Sequence, residues 1–185
     1  MIYPIVAYGD PVLRKRAGEI SKDYPGLSGI IENMFETMYH ALGVGLAAPQ
    51  IGLSIRLFVV DASPFKDDDG NAAGFKKVFI NAEIISDDGA KWKFNEGCLS
   101  IPGIREDIER KSTITIRYFD EHFIEYLDVF DGMPARIIQH EYDHIEGVLF
   151  TDRVTPLKKR LLKGRLTGIS KGVVDVSYRM RFSKR

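Results

Sequence analysis

The chain has one cysteine and four histidines in 185 residues. An internal disulfide is therefore excluded, and ligands for a soft metal are scarce. Acids and bases balance at 26 each, so no chain-wide charge argues for a nucleic-acid sequence or a membrane as partner. No apolar run reaches the roughly 20 residues that a bilayer-spanning helix needs. Internal repeats and low-complexity tracts are absent, which sets aside solenoid and fibrous architectures. The opening stretch MIYPIVAYGDPVLRKRA has no leading basic region and meets Asp10 and Pro11 before any apolar run suited to export. Together with the lone thiol, that pattern predicts a reducing, cytoplasmic setting.

What is present is ordinary in bulk and uneven in detail. Apolar residues make up 44% and charged residues 28%, a globular composition whose length suits one domain over 1–185. From Pro156 to Arg185 ten Lys or Arg face a single acid, Asp175. A solvated amphipathic helix followed by an edge strand accounts for this basic segment, and contact with a polyanion is the sharper alternative.

The stretch IIQHEYDHIEG at 137–147 holds half of the histidines, His140 and His144, in an HExxH motif with Glu141 between them. At about 3.6 residues per turn, side chains four apart stand on one helix face, so both imidazoles can reach one metal ion. Glu141 then lies beside the metal, placed to take a proton from a water that the metal activates. Such a short pattern also arises by chance, so the third ligand decides. The histidine that an extended HExxHxxGxxH motif requires is replaced by Phe150, and no glutamate follows Glu146. Asp152 and Asp175 remain weak candidates. Upstream, Cys98 in NEGCLSIPG is the only soft donor; a lone cysteine is more often a small buried hydrophobe, but a metal would hold this one as thiolate.

Residues 1–20 are irregular, with Pro4 and Gly9-Asp10-Pro11 as turn signals. Ile30, Ile31, Met34, Phe35, Met38 and Leu42 predict a helix over 27–42. GVGLAAPQ at 43–50 reads as a tight turn into an apolar strand at 55–60, and its small side chains would also let another chain approach the backbone. The polar stretch at 61–74 predicts an exposed excursion. Strands are expected at 77–80, 82–85 and 114–118, with a less regular one at 123–130. A short basic helix is expected at 156–166, with Leu157, Leu161 and Leu162 on one side. Val174, Val176, Tyr178, Met180 and Phe182 then alternate with polar residues, the clearest strand pattern in the chain. His40 at a helix end and His122 in a turn carry no expected chemistry.

GVGLAAPQ at 43–50, EGCLS at 96–100 and QHEYDH at 139–144 together resemble the three signature motifs of the peptide deformylases, in that family's order and approximate spacing. The similarity runs from Pro11 to about Arg153. It implies that Cys98, His140 and His144 bind one divalent metal, Fe(II) in the cell, with zinc, nickel or cobalt able to replace it. It implies that Glu141 is general base and then acid, and that the Gln50 amide and the Leu99 N–H bind the oxyanion. Gly45 would offer its backbone to an extended substrate, Val44, Met133 and Ile137 would hold the methionine side chain, and Glu96, flanked by Gly97, would orient the site with Arg110. The implied substrates are N-formylmethionyl nascent peptides, deformylated with release of formate, and the basic C-terminal segment would dock on the ribosome.

The expected fold class is α+β, with antiparallel sheets around a central helix carrying HExxH and a sheet edge at the first motif receiving substrate. Three rival readings differ in what they predict. A zinc endopeptidase would cleave internal peptide bonds, an RNA-associated binder would need no metal, and a cysteine hydrolase with Cys98 as nucleophile would survive chelation.

Overall fold

Leu57, Phe58, Val59 and Val60 are apolar on successive residues, a pattern that a strand adopts when both of its faces are covered. In the computed structural model, which describes residues 1–65 and 75–183, such a strand lies inside a five-stranded sheet. The elements follow in the order β1 (Ile5–Val6), α1 (Leu27–His40), β2 (Gly45–Ala47), β3 (Leu57–Asp61), β4 (Lys76–Cys98), β5 (Ile101–Phe119), β6 (Glu125–Asp131), α2 (Gly132–Ile145), α3 (Pro156–Ser170) and β7 (Met180–Arg181). The sheet order is β2-β3-β4-β5-β6, antiparallel throughout. The α+β class is borne out.

The two faces of β3 separate the two main cores. Phe58 and Val60 join Phe79, Ile114 and Ile116 against Ala135, Ile137, Ile138 and Ile145 of α2. Leu57 and Val59 pack instead with Ile31, Met34 and Met38 of α1. Each fully buried side chain of this size contributes about 1.5–3 kcal/mol of transfer free energy, which makes these layers the main support of the sheet. A third cluster ties α3, through Leu162, Leu166 and Ile169, to Ile101, Ile104 and Phe150.

The central helix begins without a gap after β6. Asp131 is extended, and Gly132 at φ +56° turns the chain directly into α2, where Pro134 in the first turn loses no helical bond. Unusually for a helix with so many polar residues, α2 is buried on almost every side. Arg136, Gln139, Glu141, Asp143 and His144 are all buried, so each must find partners inside the protein.

Several local expectations are corrected. GVGLAAPQ is not merely a turn: Gly45–Ala47 pairs with Val60–Phe58 as the edge strand, and Ala48–Ile51 forms a 3-10 turn. The strands expected at 77–80 and 82–85 are one strand, β4, interrupted by a register shift around Asn81 at φ +51°. Asn81 pays back that conformation by bonding the Ile20 N–H and carbonyl. The same strand runs on to Cys98 and forms a long hairpin with β5, most of which has no strand expectation from the sequence. In α3 only Leu162 of the three named leucines faces inward; Leu157 and Leu161 are exposed, and the helix continues to Ser170. The C-terminal alternation holds for burial but not for pairing, because only Met180 and Arg181 join a ladder, parallel to Ile5 and Val6. The excursion expected at 61–74 lies, from residue 66 on, outside the described residues.

Candidate active site

Two elements supply the chemistry. His140 and His144 stand one turn apart on α2, with ring centroids 5.2 Å apart, and Cys98 ends β4 opposite them. The ligand atoms of these three residues all lie within 4.8 Å of one another, and Cys98 Sγ is 3.2 Å from His144 Nε2. A metal held at about 2.3 Å from sulfur and 2.1 Å from nitrogen needs donors spaced by roughly 3 to 4 Å, so the set fits one ion. Burial pushes the His144 imidazole well down and keeps it neutral, the form that donates a lone pair. Burial also pushes His140 down, but the hydrogen bonds its ring donates to Cys98 and Glu96 outweigh that and raise it well above the ordinary value. Of the other candidate ligands, Asp152 is engaged by Arg14, Lys159 and the Leu149 N–H, and Asp175 is exposed. His40 and His122 are exposed as well.

Behind the histidines lies a buried charge network. Glu96 Oε2 is 2.9 Å from His140 Nδ1, which fixes the ring and turns its other nitrogen toward Cys98. Arg110 grips the same carboxylate with Nε at 2.7 Å and Nη2 at 3.0 Å, and Arg136 adds a third donor at 3.0 Å. Arg110 also donates to Asp143 at 2.8 Å, and Arg153 donates to Asp143 at 2.7 Å. Burial pushes the Glu96 carboxyl up, yet the bonds from His140 and Arg110 dominate and hold it well below the usual carboxylate range. With Glu96, Arg110, Arg136 and Asp143 each 5% exposed or less, losing any one partner would leave uncompensated charge in the interior. The expected Glu96–Arg110 pair is therefore part of a larger network. Arg136, Asp143 and Arg153 were not foreseen, and no local sequence signal marks them.

Glu141 has a different environment. Its Oε2 is buried and has no partner among the described residues, and burial pushes its carboxyl up to about 7, opposed by the charge on His140. A carboxyl of that pKa accepts and returns a proton readily near neutrality. Gly45 passes directly over it: an added Cβ would lie 2.8 Å from Glu141 Cδ. Gln50 is anchored by its carbonyl, which accepts from the Ala47 N–H at 2.8 Å. That bond fixes the amide orientation and leaves Nε2 3.5 Å from Cys98 Sγ and 3.4 Å from Ser100 Oγ.

Part of this arrangement faces one cavity of about 620 Å³. Val44, Gly45, Gln50, Glu96, Gly97, Cys98, Leu99, Met133, Ile137, His140 and Glu141 line it, whereas His144 and Arg110 lie behind its wall. Among residues the sequence did not single out, Phe65, Phe94, Arg105, Val176 and Tyr178 also line it. For Val176 and Tyr178 the alternating pattern gave the inward face but not its destination. The arrangement combines a Cys-His-His donor set, a proton acceptor, an oriented amide and an apolar slot beside a sheet edge, which is what metal-assisted hydrolysis of an amide on an extended peptide requires.

Comparison with known proteins gives a consistent result. The profile of the polypeptide deformylase family matches residues 2–160. The peptide deformylase of Flavobacterium johnsoniae is 57% identical, over 99% of this chain and 97% of that one. That of Cytophaga hutchinsonii is also 57% identical, over 98% of each. Among solved structures, the peptide deformylase of Legionella pneumophila superposes with a TM-score of 0.79 at 36% identity, covering 94% of this chain and 98% of that one. The Thermotoga maritima peptide deformylase gives 0.76 at 42% identity, covering 84% and 99%.

Proposed function

The chain belongs to the peptide deformylase family, and from that membership we propose that residues 1–185 act as one catalytic domain that hydrolyses the N-formyl group from the formylmethionine of newly made polypeptides, releasing formate. The observation that carries the reading is the meeting of the Cys98-His140-His144 set, the buried Glu141 carboxyl and the anchored Gln50 amide at one end of an apolar cavity.

Cys98, His140 and His144 would hold one divalent ion. A thiolate with two imidazoles suits Fe(II), zinc, nickel or cobalt, and Fe(II) is the proposed cellular ion. When bound, the ion supplies Lewis acidity, polarising the formyl carbonyl and acidifying the attacking water. Glu141 takes the water's proton and delivers it to the leaving nitrogen, which its raised pKa allows. Gln50 Nε2 and the Leu99 N–H donate to the oxygen that becomes negative in the transition state. The backbone of Gly45 pairs with the extended peptide at the β2 edge, and Val44, Met133 and Ile137 enclose the methionine side chain. Glu96 and Arg110 keep His140 aimed, and Gly97 lines the cavity beside them, where an added Cβ would lie 2.9 Å from Arg105 Nη1.

A formylmethionyl tripeptide tests this: formate and a free amine are expected, with internal peptide bonds intact. Cleavage of internal bonds would favour an endopeptidase instead. The 3.2 Å approach of Cys98 to His144 also suits a thiol nucleophile beside its base. Under that second reading activity would survive chelation and be lost on alkylation.

No described helix is long and apolar enough to cross a membrane, and we place the enzyme in the cytoplasm, where formylated chains emerge. The basic helix α3, with Leu157 and Leu161 exposed among its lysines and arginines, is the surface we assign to ribosome contact.

A further inference from the structure

Leu99 and Ser100 join β4 to β5, and both of their carbonyls are held by the ends of the chain. The Tyr178 hydroxyl donates to the Leu99 carbonyl at 2.9 Å. The Tyr8 N–H donates to the Ser100 carbonyl at 2.8 Å. The two ends also hold each other, because the Ile5 N–H donates to the Arg179 carbonyl at 2.8 Å and the Ala7 N–H to the Arg181 carbonyl at 2.9 Å. From the other side Gln50 Nε2 reaches Ser100 Oγ at 3.4 Å. Both proposed oxyanion donors therefore attach to one short connection, whose outer side is clamped by segments far away in sequence.

The tail is built to present that hydroxyl. Val176, Tyr178 and Met180 are half-buried while Ser177 and Arg179 are exposed. Val176 and Tyr178 turn toward the cavity beside Leu99, and Met180 and Phe182 pack on the cluster that contains Ile101 and Leu149. A phenol, with a pKa of about 10 in water, is a hydrogen-bond donor at neutral pH. The Leu99 carbonyl cannot swing about its Cα–C bond without giving up this donor, and the N–H on the other side of the same Cα is steadied with it.

We propose that Tyr178 is a positioning residue for deformylation: its hydroxyl pins the Leu99 carbonyl and so keeps the Leu99 N–H aimed at the formyl oxygen. The inference rests on the deformylase reading of the site. An oxyanion donor lowers the barrier only to the extent that it is already aimed when charge develops, so the tie acts on turnover and not on ground-state binding.

The test compares wild type, Tyr178→Phe and Ser177→Ala at equal metal content. The measurements are kcat and KM on a formylmethionyl tripeptide and backbone amide exchange over 98–101. Phe keeps the aromatic wall and removes only the hydroxyl. The expected result is a kcat lower by roughly 5- to 10-fold in Tyr178→Phe, from loss of one supporting hydrogen bond, with KM within about twofold, faster exchange at Leu99, and Ser177→Ala like wild type. Wild-type kcat in Tyr178→Phe, or a loss that appears wholly in KM, would overturn the proposal. A wild type that releases no formate would count against the deformylase reading. The exchange measurement would then still decide the clamp, with faster exchange at Leu99 in Tyr178→Phe supporting it and unchanged exchange overturning it.

Discussion

The backbone of Gly45 lies so close to Glu141 that a Cβ there would stand 2.8 Å from both Cγ and Cδ of the carboxylate side chain. The backbone of Gly45 is not in a conformation that demands glycine, so the requirement is purely one of space. Gly45→Ala is expected to displace Glu141 and, with Glu141 as the proposed general base, to lower kcat by about 10²-fold or more. The overpacking should cost about 1–3 kcal/mol of stability. Steady-state kinetics and urea unfolding of the same variant check both, and wild-type turnover would show that Glu141 has room to move.

The raised pKa of Glu141 has a consequence for stability. A carboxyl that titrates near 4.5 unfolded and at about 7 folded binds more protons in the native state between those values. Stability then falls as pH rises through that window. In metal-stripped protein, Glu141→Gln removes this contribution, so the variant should gain stability over wild type from pH 5 to pH 8. At about 1.4 kcal/mol per pH unit the gain approaches about 3 kcal/mol. The charge on Glu141 also helps to raise His140, so the difference between the two profiles reports that coupled pair. Parallel stability profiles would contradict the assignment.

Removing Arg110 takes a donor from two buried carboxylates at once and leaves Glu96 to Arg136 and Asp143 to Arg153. Arg110→Ala leaves Glu96 and Asp143 without their shared donor, and breaking such a buried pair costs roughly 3–5 kcal/mol. Glu96→Gln should be milder for folding but should weaken metal binding by about 10- to 100-fold, because it loosens the hold on His140. Denaturant unfolding and metal competition measure these. Exchanging the charges of Glu96 and Arg110 is not expected to rescue either variant, since an arginine at 96 would face Arg136.

Deleting 171–185 would remove Val176 and Tyr178 from the cavity wall, so truncation should impair catalysis whatever happens at the ribosome. Charge reversal at Arg160 and Lys163 leaves the active site intact and tests docking alone. Loss of ribosome co-sedimentation with unchanged kcat is the expected outcome, and unchanged co-sedimentation would remove α3 as the contact.

How far the sequence could be read depends on the range of each signal. His140 and His144 were legible because helical spacing is local, and Cys98 because no other soft donor exists. The α2 helix was legible as a helix but not as a buried one, since its polar residues look like a solvent face until Glu96 and Arg110 arrive from the β-hairpin. The residues of the edge strand Gly45–Ala47 have low strand propensity, so the sheet edge at the first motif came from the family resemblance and not from a local strand pattern. In the tail, alternation reported which side chains turn inward, whereas pairing depended on β1, which offers only two residues. The bond from Tyr178 to Leu99 spans 79 positions and leaves no trace in either local pattern.

The central claim is that a metal held by Cys98, His140 and His144 makes this chain a deformylase, and formate release tests it most directly. Protein purified without oxygen should release formate from a formylmethionyl tripeptide, lose that activity on chelation and regain it when Fe(II) is returned. Folded, metal-loaded protein that releases no formate, or release that persists under chelation and ends on alkylation of Cys98, would contradict it.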